Sequence, residues 1–340
     1  MPEPFAARAI EPIGLRAAGR ADIHGRVEGS RFHLLGVVGW ELIMSAIPPA
    51  KNIALAGILL GAAAIAVAQS ATPGTVKTGY APINQLNLYY EIHGSGAPLV
   101  VLHGGLGSTE MMSHVVSALS PTHQVIAVDL QAHGRTADID RPLSYEAMAD
   151  DIAALLNFMN IVQADVMGYS LGGGVSVQLT IRHPAMVRKL VVVSTVFQRN
   201  GWYPEILASM GQLGPAAAEA MKPSGLYKTY VSIAPKPSDW PVLVTKVGDL
   251  LKKEYDWSKD VAAITTPTLL VFGDADAILP AHMVEFFTLL GGGRKDPGWD
   301  RSGMSKARLA ILPGITHYDI IDSSALVTAV QPFLEASHSR

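Results

Sequence analysis

The alternation of apolar and polar positions from residue 86 onward predicts a regular succession of strands and helices. Apolar runs rich in valine, isoleucine and leucine recur, separated by helical or irregular segments. The predicted strands are 86–92, 97–105, 123–130, 164–168, 187–196, 266–274 and 307–314. Most of these runs are apolar throughout, which is typical of strands covered on both faces. The pattern therefore predicts an α/β fold with a doubly wound, mostly parallel sheet.

Two intervals between these strands have helical periodicity. Residues 144–160 carry apolar positions on one helical face, and a second helix is expected after the strand at 164–168. That helix should end before His183, because Pro184 cannot continue it.

The interval 197–262 contains no convincing strand but holds eight aromatic residues. These are Phe197, Trp202, Tyr203, Tyr227, Tyr230, Trp240, Tyr255 and Trp257. A segment inserted between two strands at one end of a sheet is placed to act as a lid over a binding site. The alternative is that its aromatic side chains only pack the insert onto the core.

Composition narrows the class of protein. The 340 residues are 49% hydrophobic, enough to bury a core without disulfides, and the chain has no cysteine. Cysteine nucleophiles and thiolate metal sites are therefore excluded. The net charge of -3 and the lack of a long basic run argue against nucleic acid as a partner.

The region before the predicted sheet has the order of a secretory signal peptide. In residues 44–68 one lysine precedes an apolar run over 53–68, which ends in small residues, and cleavage is expected after Ala68. An uncleaved membrane anchor or a buried helix is the alternative. Residues 1–43 are interpreted as an upstream extension and 69–83 as a linker. The predicted location is periplasmic or secreted, or membrane-anchored if the segment is retained.

Polar residues stand where the predicted strands end, and in an open α/β sheet ligands bind outside the carboxyl ends of the strands. They are His103 with Gly104 and Gly105, then Asp129, Ser170, Asp274, Asp276 and His317. This set is small, and it has the side chains required for nucleophilic catalysis.

Ser170 lies between a predicted strand and a predicted helix, within Gly168-x-Ser170-x-Gly172. A strand that turns abruptly into a helix strains its turn residue and exposes the side chain, and glycines on either side avoid steric clash. The helix N-terminus also favours developing negative charge. Ser170 is therefore the candidate nucleophile.

A serine hydroxyl needs a base, and histidine is suited because its pKa lies near neutral pH. His317 follows the last strand and is the candidate base. His103 is expected to brace its loop, and His133 and His183 are interpreted as structural. The carboxylate that orients His317 is expected to be Asp276, with Asp274 capping backbone groups instead.

The order serine, acid, histidine and five motifs resemble the α/β-hydrolase superfamily over about residues 84–336. The motifs are HGG at 103–105, DLQAHGRT at 129–136, GYSLGG at 168–173, GDAD at 273–276 and PGITH at 313–317. The resemblance implies a hydrolase core over 84–196 and 263–340, with 197–262 as a helical cap. It also implies an oxyanion hole formed by the backbone N–H groups of Gly105 and Leu171.

Two positions depart from the family pattern. Ala132 stands where many relatives have glycine, which affects only loop conformation. The HGGLG segment lacks the third consecutive glycine of HGGG-type carboxylesterases, which argues against bulky tertiary-alcohol esters.

These features predict a serine hydrolase without a cofactor, a monomer or weak homo-oligomer that cleaves an ester or lactone of a small apolar or aromatic substrate. Leu106, Met111, Trp202 and Tyr203 are candidates for the substrate pocket. Open alternatives are a C–C bond hydrolase acting on ring-cleavage diketones, an amide hydrolase and a perhydrolase. A ligand receptor on a hydrolase fold is an alternative of another class. Epoxide hydrolysis and dehalogenation are disfavoured, because relatives with that chemistry have aspartate at the position of Ser170.

Overall fold

A computed structural model describes residues 76–336. The predicted extension (1–43), the signal peptide or anchor (44–68) and the first part of the linker lie outside the described residues. Within 76–336, no helix is both long enough and apolar enough to cross a membrane.

The described chain forms one twisted sheet. Its strands are β1 (Lys77–Ile83), β2 (Leu86–His93), β3 (Ala97–Leu102), β4 (His123–Val128), β5 (Ala164–Tyr169), β6 (Val187–Val193), β7 (Thr268–Ala275) and β8 (Ala307–Thr316). Their spatial order is β1-β2-β4-β3-β5-β6-β7-β8. The pairs β1–β2 and β2–β4 are antiparallel, and all later pairs are parallel. The predicted fold class is confirmed.

The linker predicted over 69–83 is wrong for its second half, because Lys77–Ile83 forms β1. This edge strand pairs with β2 through a tight turn at Asn84 and Gln85, both with positive φ. Only Ala81 and Ile83 in it are buried. An edge strand with so few buried positions lacks the apolar signal of the central strands.

Helices cover both faces of the sheet. They are α1 (Ser113–Leu119), α2 (Tyr145–Phe158), α3 (Leu171–Arg182), α4 (Pro204–Gly211), α5 (Pro215–Ala220), α6 (Gly225–Ile233), α7 (Trp240–Leu251), α8 (Ser258–Ala262), α9 (Pro280–Leu289) and α10 (Ser324–Glu335). Side chains of β3 alternate between two cores, with Val100 and Leu102 facing the core beneath α2 and α3. Leu99 and Val101 face the core beneath α1 and α10. This alternation explains why the strand is apolar throughout.

Helices α4 to α8 form an insertion between β6 and β7, here called the helical insertion (residues 197–262). Several of its aromatic residues form its interior: Trp240 is fully buried, and its Nε1–H donates to the Ala218 carbonyl at 2.9 Å. Tyr227 and Tyr230 pack against the ring of Trp240. For Trp240 and Tyr227, the packing interpretation is the one that the structure supports.

Candidate active site

Ser170 occupies the junction between β5 and α3. Its backbone has φ 52° and ψ -116°, a conformation that residues with a side chain rarely adopt. A Cβ on Gly168 would lie 2.1 Å from the Gly172 carbonyl oxygen, and one on Gly172 would lie 2.5 Å from that of His103. Only glycine fits at these two positions, so the local sequence permits the sharp turn that presents the Ser170 side chain.

The structure brings Ser170, His317 and Asp276 together at the carboxyl ends of three strands. His317 Nε2 lies 3.2 Å from Ser170 Oγ, and His317 Nδ1 lies 2.9 Å from Asp276 Oδ1. An ionised carboxylate can only accept, so Nδ1 carries the hydrogen and Nε2 is free to accept from the serine hydroxyl. This is the arrangement in which a histidine can remove the serine proton.

Asp274, the other acid of the GDAD motif, is directed elsewhere. Its Oδ1 accepts the Gly314 N–H at 2.8 Å, and its side chain is exposed. Asp276 is buried. As predicted, Asp274 caps backbone and Asp276 faces the histidine.

Ser194, at the end of β6, is a contributor that sequence reasoning missed. Its hydroxyl donates to Asp276 Oδ2 at 2.5 Å, and the Gly273 N–H donates to the same oxygen at 3.3 Å. Ser194 is fully buried and has a positive φ of 49°. A polar residue at the end of an apolar strand was the available signal in the sequence.

Aromatic rings enclose His317. The rings of Tyr169, Trp202 and Tyr318 lie with their centroids 5.3 to 5.5 Å from the imidazole. The Tyr169 hydroxyl donates to the His317 carbonyl at 2.7 Å, and burial raises the pKa of that phenol. These contacts hold the histidine loop against the strand that carries the nucleophile.

His103 braces the loop after β3, as the sequence predicts. Its Nδ1–H donates to the Gly104 carbonyl at 2.7 Å, and its Nε2 accepts the Leu130 N–H at 3.1 Å. Burial lowers the pKa of His103 to about 4, so the ring is neutral at neutral pH. The neighbouring His133 is also fully buried, and burial lowers its pKa to about 3.

The two predicted oxyanion donors border the space next to Ser170. Leu171 is the first residue of α3, so its N–H has no acceptor within its own helix. The Gly105 N–H makes no backbone hydrogen bond within residues 76–336. Leu106, the residue after Gly105, has a φ of 61°, the left-handed region that glycine favours. The chain therefore uses a leucine where HGGG-type enzymes have glycine.

A cavity of about 140 Å3 adjoins Ser170 between the sheet and the helical insertion. Its core side consists of Gly105, Leu106, Tyr145, Ser170, Leu171, Thr195 and Val196. The helical insertion contributes Trp202, Met210, Leu213, Val247, Leu251 and Tyr255. Among the predicted pocket residues, Leu106 and Trp202 line this cavity.

Met111 and Tyr203, the other two predicted pocket residues, do not line this cavity. Met111 belongs to a separate groove that is also lined by Leu106. The Tyr203 N–H donates to the Ala277 carbonyl at 3.2 Å, where the chain enters α4. Neighbours in sequence point to different sides of a loop, so adjacency to Trp202 does not bring Tyr203 to the same space.

Comparison with known proteins agrees with this geometry. A family model described as the alpha/beta hydrolase fold matches residues 97–221. RutD of Caulobacter sp. strain K31, whose name records carbamate hydrolysis as a provisional activity, is 30% identical over 224 residues. The alignment covers 57% of this chain and 80% of that protein. This chain belongs to the α/β-hydrolase family.

Other members of the α/β-hydrolase family are similar to this chain to a comparable degree. The pimeloyl-[acyl-carrier protein] methyl ester esterase of Neisseria meningitidis (serogroup C, strain FAM18) is 30% identical over 204 residues, covering 55% of this chain and 78% of that protein. The solved structure of the enol-lactonase from Burkholderia xenovorans LB400 superposes with a TM-score of 0.59 at 22% identity. That superposition covers 76% of this chain and 100% of the lactonase, and at this identity it supports the fold alone.

Residues from three parts of the chain thus meet at the site of this hydrolase. Their side chains are not of the kinds and number that hold a metal ion. Within the described residues, no three acidic, histidine or cysteine side chains are grouped as a metal ion would require. The polar groups beside Ser170 are instead a base, a carboxylate and backbone N–H donors.

Proposed function

We propose that this protein is a serine hydrolase that cleaves a carboxylic ester or lactone through an acyl-enzyme. The observation that carries the proposal is the contact between Ser170 Oγ and His317 Nε2 at 3.2 Å, with Asp276 bound to the other ring nitrogen. A nucleophile, a base and an orienting acid in this order of contacts are the parts that acyl transfer needs.

In the proposed first half-reaction, Ser170 Oγ attacks the acyl carbon while His317 Nε2 takes the hydroxyl proton. The negative charge that develops on the carbonyl oxygen is stabilised by the N–H groups of Gly105 and Leu171, each contributing about 3 kcal/mol. His317 then gives the proton to the leaving-group oxygen as the carbon–oxygen bond breaks. Asp276 stabilises the imidazolium that exists between these two transfers.

In the second half-reaction, water replaces the leaving group. His317 removes a proton from the water, whose oxygen attacks the acyl carbon, and the Ser170 oxygen leaves with that proton. The free acid and the original enzyme result, and no cofactor is needed for the balance of atoms or electrons.

The cavity supports a small apolar acyl group. Its volume of about 140 Å3 holds only a short chain or a single small ring, and its insertion side is formed by hydrophobic and aromatic side chains. In this proposal the helical insertion acts as a cap that excludes water from the acyl group. The similarity to a methyl ester esterase favours an ester bond.

A carbamate is the second candidate substrate class, because the similarity to RutD of Caulobacter favours it. The same three residues can transfer a carbamoyl group, and the difference lies in the leaving group and the lifetime of the acylated serine. Parallel assays with matched phenyl esters and phenyl carbamates separate the two candidates by the ratio of their kcat/KM values.

The proposal is tested by a fluorophosphonate probe, with mass spectrometry to locate the modified residue, alongside turnover of short-chain p-nitrophenyl esters. Ester turnover with labelling at Ser170 is the expected result. The Ser170→Ala variant should lose both while it keeps the circular dichroism spectrum of the native protein. Absence of labelling and of turnover in the folded native protein would refute the proposal. Labelling without ester turnover would favour the C–C hydrolase or receptor alternative.

A further inference from the structure

A second open space shares Leu106 with the cavity at Ser170. This groove has a volume of about 460 Å3, and Leu106 lines both spaces. Its walls come from the loop after β3, from α6 of the helical insertion and from the segment that follows His317. The groove is more than three times as large as the cavity.

The groove is bordered by Tyr318, the residue that follows the proposed general acid His317. His317 protonates the leaving-group oxygen in the proposed reaction, so that oxygen has to lie on the His317 side of Ser170. Tyr318 follows His317, packs its ring against the imidazole with centroids 5.5 Å apart, and lines the groove. The cavity on the side of Leu171 and Thr195 is then left for the acyl group.

The groove carries negative charge. Glu110 and Asp322 line it, and none of the described residues that line it is a lysine or an arginine. Although burial opposes it, hydrogen bonds from Arg135 and Ser108 hold the pKa of Glu110 below its ordinary value, so Glu110 is ionised at neutral pH.

Arg135 contacts Glu110 most closely and offsets much of its charge. It lies within ion-pair distance of Glu91 and Asp129 as well as Glu110. The exposed carboxylate of Asp322, on the segment after His317, makes none of the ion pairs found among the described residues and is therefore the main negative charge of the groove.

Two aromatic rings complete the groove. Tyr230 of α6 and Tyr318 both line it, and Tyr318 is 71% exposed. Tyrosine faces beside carboxylates are a common environment for an organic cation, which gains from both the ring quadrupole and the negative charge.

We propose that the groove binds the leaving group, and that Asp322, together with the exposed ring of Tyr318, selects a leaving group that bears an ammonium over a neutral or anionic one. The natural substrate is then a small acyl ester of an amino alcohol. This inference rests on the proposed function, since it assigns the leaving-group side of the same site.

The test compares three acetate esters whose leaving groups have similar size and different charge. They are acetylcholine, its uncharged carbon isostere dimethylbutyl acetate, and the acetate ester of isethionate. Each kcat/KM is divided by the rate of alkaline hydrolysis of the same ester, which removes the difference in intrinsic reactivity. The expected order is cation, neutral, anion, and high salt should reduce the cation preference.

Variants assign the preference to Asp322. Asp322→Asn should lower the ratio of cationic to neutral kcat/KM about threefold, since the carboxylate is exposed and screened. Asp322→Lys should lower it about tenfold, because it reverses the charge. Asp300→Asn is the matched control: Asp300 is an exposed acid in the loop that enters β8, whereas Asp322 follows the carboxyl end of that strand, and the variant should leave the ratio unchanged.

The outcomes separate this inference from the proposed function. Labelling at Ser170 and hydrolysis of p-nitrophenyl acetate, with no charge order among the three esters, would overturn the leaving-group assignment alone. A ratio that is unchanged in both Asp322 variants would also overturn it. A folded protein that is neither labelled nor hydrolytic would refute the proposed function, and the inference with it.

Discussion

The Ser194 hydroxyl donates to Oδ2 of Asp276 at 2.5 Å, while Oδ1 of the same carboxylate binds His317. The Ser194 N–H is itself bound to the Val271 carbonyl of β7, so two adjacent strands determine where the hydroxyl lies. Asp276 is thus held on both oxygens before any substrate binds. Preorganisation of this kind is expected to affect the rate of acyl transfer.

Ser194→Ala should lower kcat/KM for p-nitrophenyl esters about tenfold, the effect of losing one hydrogen bond of about 1.4 kcal/mol to a charged group. Steady-state kinetics measure it. Ser176→Ala is the control, because Ser176 is equally buried but donates to the Gly172 carbonyl instead. Equal losses in both variants would show that the effect is a general loss of packing.

Asp276→Asn should lower kcat by about a thousandfold or more, because an amide would favour the wrong histidine tautomer. Asp274→Asn should have little effect, since its amide oxygen can still accept the Gly314 N–H. The kcat values of the two variants, measured side by side, decide this. Similar losses of kcat in the two variants would contradict the assignment of Asp276 as the acid that orients His317.

Ser170→Gly should be more stable than Ser170→Ala by about 1 kcal/mol in free energy of unfolding, although both are inactive. Glycine adopts the φ and ψ of this turn without strain, whereas alanine keeps the Cβ that is disfavoured there. Urea unfolding monitored by circular dichroism measures the difference. A more stable alanine variant would show that the turn is not strained.

Acidification should destabilise the fold through buried histidines. Burial lowers the pKa of His103 and of His282 to about 4, and that of His133 to about 3. Between these values and the ordinary histidine pKa of about 6.5, the unfolded chain binds more protons than the folded one, so stability falls as the pH falls. Asp129 opposes this trend, because burial raises its pKa to about 6 and the folded state then binds the extra proton.

The three histidines outweigh the single aspartate. The urea concentration at the midpoint of unfolding should therefore decrease as the pH is lowered from about 6.5 to about 4. His282→Gln should flatten this decrease, since it removes one titrating group while retaining an acceptor near the Phe197 N–H. A midpoint that is constant or rises on acidification would contradict the prediction.

The sequence by itself determined the sheet and the turn that presents Ser170. Continuous apolar runs indicate strands that are buried on both faces, and this signal is present in the sequence whatever the order of the strands in the sheet. The glycines around Ser170 record a local clash that needs no distant contact. Strand β1 was not predicted, because an edge strand with two buried residues carries almost none of this apolar signal.

Only the tertiary structure decided which side chains meet. Ser194 reaches Asp276 because β6 and β7 are neighbours in the sheet, an order that no local pattern encodes. The walls of the cavity and the groove come from segments far apart in sequence, so Met111 could not be assigned to either from its neighbours. Periodicity along a chain reports how much of each residue is buried, but which residues it contacts depends on strand order, register and the path of the loops.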